Sequence, residues 1–128
     1  MQGGWQVSTV FVFGSNTEGR HGAGAALHAL NHYDAIYGQA SGRQGDAYAI
    51  ITKELRLGKR WKRVTLPDIR VQVPALIEHV KTHPDDTFIL TRIGCGLAGF
   101  RDDDIMPLFE PLRGYPNVKF PPEWEDGK

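Results

Sequence analysis

The chain has one cysteine, Cys95, in 128 residues, so it can form no internal disulfide and carries no cysteine-based metal site. Thiols stay reduced in the cytoplasm, and a cytoplasmic protein is the expectation. No apolar run approaches the length needed to span a bilayer, which argues against a membrane partner. The N-terminal MQGGWQVSTVFVFG has no basic residues ahead of its apolar run and does not read as a signal peptide. Net charge is missing too: 15 Lys+Arg balance 15 Asp+Glu, which argues against broad, nonspecific nucleic-acid binding. Repeats, low-complexity tracts and linkers are absent, and residues 1–128 suffice for a single domain with its own core.

The charge that is present is unevenly spread. Residues 1–64 carry eight Lys+Arg against four Asp+Glu, and residues 65–128 carry seven against eleven. Much of the first excess lies in LRLGKRWKR (Leu55 to Arg63), where Trp61 interrupts five basic residues. Such a run can contact phosphates and stack on a base, or it is a solvated loop.

Composition predicts strands at VSTVFVFG (Val7 to Gly14), DAIYGQ (Asp34 to Gln39), AYAIIT (Ala47 to Thr52), TFILTRI (Thr87 to Ile93) and NVKF (Asn117 to Phe120). Helices are expected in AALHALNHY, with Ala26, Leu30 and Tyr33 on one face, and in LPDIRVQVPALIEHVKTHP. In the second, Ile69, Val73, Leu76, Ile77 and Val80 recur at helical spacing while Pro74 kinks or splits the element. DDDIMPLFEPL reads as a helix with acidic residues at the end where the dipole favours them. Alternating strands and helices predict a three-layer α/β/α domain with a mostly parallel or mixed sheet, whose ligands bind beyond the carboxyl ends of the strands.

Two glycine-rich turns fall at that position. GSNTEGRHGAGAA (Gly14 to Ala26) leaves a strand through Gly14, Ser15 and Asn16 and enters a helix through Gly22, Ala23 and Gly24. Small residues there admit a phosphate to the free amides of the first turn, and Asn16 can bond a ribose or a base edge. The spacing is neither the dinucleotide GxGxxG nor a Walker A loop. RIGCGLAGF (Arg92 to Phe100) can present consecutive amides in an anion-binding concavity, or simply make a tight connection with Phe100 in the core. His21, inside the first turn, is a candidate ligand contact. Cys95 is a nucleophile or a small buried residue, with no histidine partner to assign. His28 and His32 lie four apart without an intervening Glu, so no metal site is expected. Lys53 ends the AYAIIT strand, where a lysine points to solvent, pairs with a phosphate, or attacks an anomeric carbon as an amine.

Taken together, these residues resemble a macro domain, the fold that binds ADP-ribose. The branch they resemble contains the terminal ADP-ribose protein glycohydrolases and the DNA ADP-ribosylglycohydrolase antitoxins. It is marked by a lysine in an I/P-T-K element and by a GCG turn after the next strand, matched here by Ile51-Thr52-Lys53 and Gly94-Cys95-Gly96. The resemblance covers nearly the whole chain. It implies an α/β, three-layer macro-domain-like fold with a mixed sheet, no cofactor, and a ligand that is ADP-ribose or a related NAD-derived nucleotide. ADP-ribosylated protein or nucleic acid would be the larger partner. By that resemblance Gly94, Cys95, Gly96, Leu97, Ala98 and Gly99 hold the diphosphate and distal ribose, with Phe100 against the sugar. Gly22, Ala23 and Gly24 cover the phosphates, Asn16 approaches the distal ribose, and Lys53 is the catalytic nucleophile. The protein-acting subgroup carries an aspartate directly after GCGL, where this chain has Ala98, and the DNA-acting subgroup a small residue. Asp102 stands four residues further on, able to replace that aspartate or to cap the next helix. Three functions compete: an ADP-ribosyl glycohydrolase using Lys53, a non-catalytic binder that reads or sequesters such a nucleotide, and an interaction module with purely structural turns.

Overall fold

The computed structural model of the chain describes residues 7–55 and 61–125. The first half runs β1 (Thr9–Asn16), α1 (Gly24–His32), β2 (Gly42–Gln44) and β3 (Ala47–Glu54). The second runs β4 (Lys62–Arg63), α2 (Leu66–Arg70), α3 (Val73–Thr82), β5 (Thr87–Leu90), α4 (Asp102–Phe109) and β6 (Val118–Lys119). Among the described residues no helix is long and apolar enough to cross a membrane.

The sheet is mixed, in the order β2-β3-β1-β5-β6. β1 pairs in parallel with β3 on one side and β5 on the other, and β5 pairs in parallel with β6. β2 and β4 both pair antiparallel with β3, β2 opposite Ala47 to Ala49 and β4 opposite Lys53 and Glu54. Between them the Gln72 carboxamide substitutes for a strand. Its Nε2 donates to the Ile51 carbonyl at 2.9 Å, and its Oε1 accepts from the Ile51 amide at 2.8 Å.

Strand alternation sends side chains to two cores. Val10 and Val12 of β1 and Tyr48 and Ile50 of β3 face one layer, with Ile69, Leu76, Ile105 and Trp124. Phe13, Ala47 and Ala49 face the other, where α1 packs through Ala26 and Ala29. The small residues of α1 let it lie close to β1, in one cluster with the alanines of β3. The three layers expected from the sequence are therefore present.

The predicted split at Pro74 is real: α2 ends at Arg70 and α3 begins at Val73, with Pro74 in its first turn, where a missing N–H costs nothing. The strand expected at Asp34 to Gln39 does not form. That stretch is a loop, with Asp34 at φ 62° and Gly38 at φ 98°, and the strand lies later, at Gly42–Gln44. A two-residue Gly45–Asp46 turn, with Gly45 at φ 59°, folds β2 onto β3. Most of the basic run lies outside the described residues, at positions 56–60.

At the amino ends of β1 and β5, Arg43 bonds Asp86 at 3.3 Å and donates to His79 Nε2 at 3.0 Å. His79 must then be neutral to accept. Burial, the stacked His83 (4.0 Å between centroids) and Arg43 push its pKa down to about 4. An unfolded histidine titrates near 6.5. Between those values the unfolded chain takes up a proton that the folded one refuses, so acid favours unfolding. The melting temperature is expected to fall as pH drops from 6.5 to about 4, and His79→Gln to flatten that slope in a thermal melt series.

Candidate functional site: a cleft at the carboxyl ends of the central strands

β1 and β5 are parallel neighbours, yet the chain leaves β1 for α1 on one face of the sheet and β5 for α4 on the other. Connections that diverge in this way open a crevice at the strand ends, the usual ligand position in such sheets. A cleft of about 660 Å³ lies there. It is lined from β1 by Gly14, Ser15 and Asn16, from the α1 mouth by Gly22 to Ala26, from β3 by Thr52 and Lys53, and from the second turn by Gly94 to Ala98.

The two turns supply amides rather than side chains. Ala23 precedes α1 in extended conformation and offers no side-chain cap, and the first bond at this end is Leu27 N–H to Ala23 carbonyl at 3.2 Å. The amides of Gly24, Ala25 and Ala26 therefore have no partner among the described residues, at the positive end of a helix dipole. In the second turn, Cys95, Gly99 and Phe100 donate within the loop, which leaves the Gly96, Leu97 and Ala98 amides without a partner among the described residues. The turns face each other: a Cβ on Gly24 would stand 4.0 Å from Leu97 Cδ1. Gly94 has to be glycine, because φ is +81° and a Cβ would press on the Phe100 ring at 3.2 Å. An anion between two such sets of donors gains charge-assisted hydrogen bonds without any buried side-chain charge.

Lys53 reaches the cleft because β3 runs parallel to β1, with Asn16 and Lys53 in register across a bulge after Ser15. Its ammonium lies 5.2 Å from the centre of the Trp61 ring. Burial lowers its pKa, favouring the free amine, while the ring favours the ammonium by about 0.5–1 kcal/mol at an exposed site. Burial and the nearby Asp102 carboxylate push the Cys95 thiol up to about 12, so it lines the cleft as a neutral thiol rather than a thiolate nucleophile.

Several sequence candidates stand elsewhere. Asp102 is outside the cleft lining. It takes Arg92 in a bidentate pair at 2.9 and 2.6 Å and accepts from the buried Trp124 indole at 2.6 Å, contacts that hold its carboxyl down to about 2. Nor does it cap α4: Asp104 does, accepting from the Arg101 amide at 3.3 Å. Phe100 is buried in the larger core, with the Arg63 guanidinium 4.4 Å above its ring, because the loop turns it inward under Gly94. Gly99 also lies off the cleft lining, and its carbonyl accepts from Arg63 at 3.2 Å. His21 is fully buried and bonded to Gln39 and Gln44, so its ring faces the α1 layer rather than the cleft. Conversely, the cleft includes Arg20, Leu55, Thr91, Arg92 and Ile93, which sequence reasoning did not single out. Arg92 opens the RIGCGL stretch itself, and its charge beside an anion turn was the available signal.

No protein-family model and no curated protein sequence matches the chain. Solved structures do. A protein of unknown function from Bacteroides thetaiotaomicron superposes with a TM-score of 0.63 at 15% identity, over 90% of this chain and 87% of that one. The macrodomain of Mycobacterium tuberculosis DarG superposes with a TM-score of 0.62 at 16% identity, over 92% of this chain and 91% of that one. These likenesses show a macro-domain fold.

Gly96→Glu tests the cleft directly. A Cβ there meets nothing within 4 Å and the backbone is not left-handed, so the variant is expected to melt with the wild type. Its carboxylate would occupy the donor array, and inorganic pyrophosphate binding, read by calorimetry, is expected to weaken by about tenfold or more.

Proposed function

We propose that the cleft binds ADP-ribose or a related NAD-derived nucleotide and hydrolyses an ADP-ribosyl bond with Lys53 as nucleophile. The observation that carries the reading is the pair of amide arrays, Gly24 to Ala26 and Gly96 to Ala98, facing each other across one cleft. A diphosphate fits between them, and the macro-domain fold makes ADP-ribose its natural bearer. The site then divides in two, with amides for the diphosphate and Lys53, at the end of β3, for the distal ribose.

The chemistry follows from the amine. Neutral Lys53 attacks the anomeric carbon, a C–N bond forms, and the bond to the attached group breaks with its electron pair. That group takes up a proton from solvent as it leaves, and the lysine nitrogen, left cationic by the new bond, gives one back to solvent. Water then hydrolyses the glycosyl-lysine and returns the free amine. Burial of Lys53 raises the fraction of neutral amine at a given pH. Asp102 enters this reading by holding Arg92 at the cleft wall rather than by touching the sugar. The resemblance to the protein- and DNA-acting glycohydrolases makes an ADP-ribosylated protein or nucleic acid the substrate class.

A second reading, a binder that does not turn its ligand over, is favoured by two observations. Lys53 rests over Trp61, which stabilises the unreactive ammonium, and no Asp or Glu is among the described residues lining the cleft to move a proton.

Lys53→Ala separates the two. With ADP-ribosylated protein and oligonucleotide as substrates, the wild type is expected to release ADP-ribose at a rate that rises with pH through a value below 10.5. The variant should lose release yet keep its calorimetric affinity for ADP-ribose. A wild type that binds ADP-ribose but releases none from any conjugate would establish the binder, and absence of ADP-ribose binding would sink both readings.

A further inference from the structure

Asn16 is the polar side chain to which the sequence points for a ribose contact, but its hydrogen bonds go elsewhere. Its Nδ2 donates to the Arg20 carbonyl at 2.9 Å, and its Oδ1 accepts from the Arg20 amide at 2.9 Å and the Glu18 amide at 3.2 Å. One buried carboxamide thus clips both backbone groups of a single residue. The residues on either side of Arg20 are fixed as firmly. Gly19, at φ +66°, packs so tightly that a Cβ would stand 2.5 Å from the Gly38 carbonyl carbon, and its own carbonyl accepts from the Gly38 amide at 2.8 Å. His21, fully buried, has Nε2 3.1 Å from the Gln39 carbonyl and 3.0 Å from Gln44 Oε1, with Phe13 against its ring at 5.2 Å. Gln44 Oε1 already accepts from the Ile36 amide, so Nε2 of His21 carries the proton.

Between these anchors the Arg20 side chain is exposed and lines the cleft. The other cation of this kind in the lining, Arg92, is neutralised by Asp102, whereas Arg20 has no carboxylate partner among the described residues. We infer that Arg20 is the ligand-contacting residue of the first glycine turn, clamping the diphosphate that the α1 amides receive, and that Asn16 and His21 are positioning residues acting through it. The inference rests on the proposed diphosphate-bearing ligand. Backbone anchored at three consecutive positions fixes where the Arg20 side chain starts, and the planar fork of an arginine suits bidentate contact to phosphate oxygens.

The test is calorimetric titration of ADP-ribose, and separately of inorganic pyrophosphate, into wild type, Arg20→Gln, Arg20→Lys, Asn16→Ala and the Asn16→Ala/Arg20→Gln double variant at two salt concentrations. Arg20→Gln alters an exposed side chain and keeps the fold, so it suffices by itself to test the clamp if Asn16→Ala fails to fold. It is expected to weaken both ligands by about tenfold or more and to reduce the salt dependence of binding, with Arg20→Lys recovering part of the loss. Asn16→Ala should weaken binding in the wild-type background but add less than about twofold to Arg20→Gln, since it removes an effect already gone. Wild-type affinity in Arg20→Gln overturns the inference while leaving the proposed function standing. Losses that multiply in the double variant overturn the role given to Asn16, which would then touch the ligand itself. Pyrophosphate binding that depends on Arg20 without any ADP-ribose binding would sink the proposed function and keep the clamp, and failure to bind either ligand would sink both.

Discussion

The parallel pairing of β1 with both β3 and β5 is the constraint on which the rest of the structure depends. It aligns three carboxyl ends at one edge of the sheet, so the loop after β1, Lys53 on β3 and the turn after β5 converge without any of them being near in sequence. Because α1 and α4 leave on opposite faces, the loops part and a cleft opens between them. Gly14 shows how tight the convergence is. A Cβ there would meet Thr52 Oγ1 at 3.2 Å and the Gly94 amide nitrogen at 3.5 Å, so strand, neighbour and turn touch at one residue.

The cleft's electrostatics come mainly from the main chain. Unpartnered amides bring no desolvated ionic group with them, and their direction is set by the same hydrogen bonds that close the turns. Two of the side-chain charges placed around this array are restrained. Arg92 is held by Asp102, which is held by Trp124, and Lys53 lies against Trp61. Arg63 grips the second turn from β4 through Gly99 and Phe100. The Asp102–Trp124 and Arg63–Gly99 bonds join residues 22 and 36 positions apart in the chain.

Much of the fold was legible because its signals are local. The helical spacing of Ile69, Val73, Leu76 and Val80 became the buried face of α2 and α3, and Pro74 marked the break between them. Where apolar content misled, as at Asp34 to Gln39, positive φ at Asp34 and Gly38 prevented a strand. The true strand β2 has no β-branched or aromatic residue. It exists because the Gly45–Asp46 turn folds it onto β3, and that Gly-Asp pair before AYAIIT was a readable hairpin signal.

The site was legible as a set of positions and not as a set of roles. Glycine content alone located both turns, since bare backbone is a property of sequence, and the strand ending in Lys53 could be placed on the same edge once the strands were taken as parallel. Direction could not be read in this way. Phe100 turns into the core, Asp102 toward Arg92 and Trp124, and Asn16 back onto Arg20, because each bends to the partner that satisfies it. Those partners lie in other elements or across a turn whose shape depends on Gly38 and Gln39 packing beneath it. Sequence by itself therefore determined where the chain is bare, where it is periodic and where it breaks, all of which follow from side-chain size and spacing. Tertiary structure decided which polar groups remain free to meet a ligand, because a hydrogen bond is allotted only when both of its ends are in place.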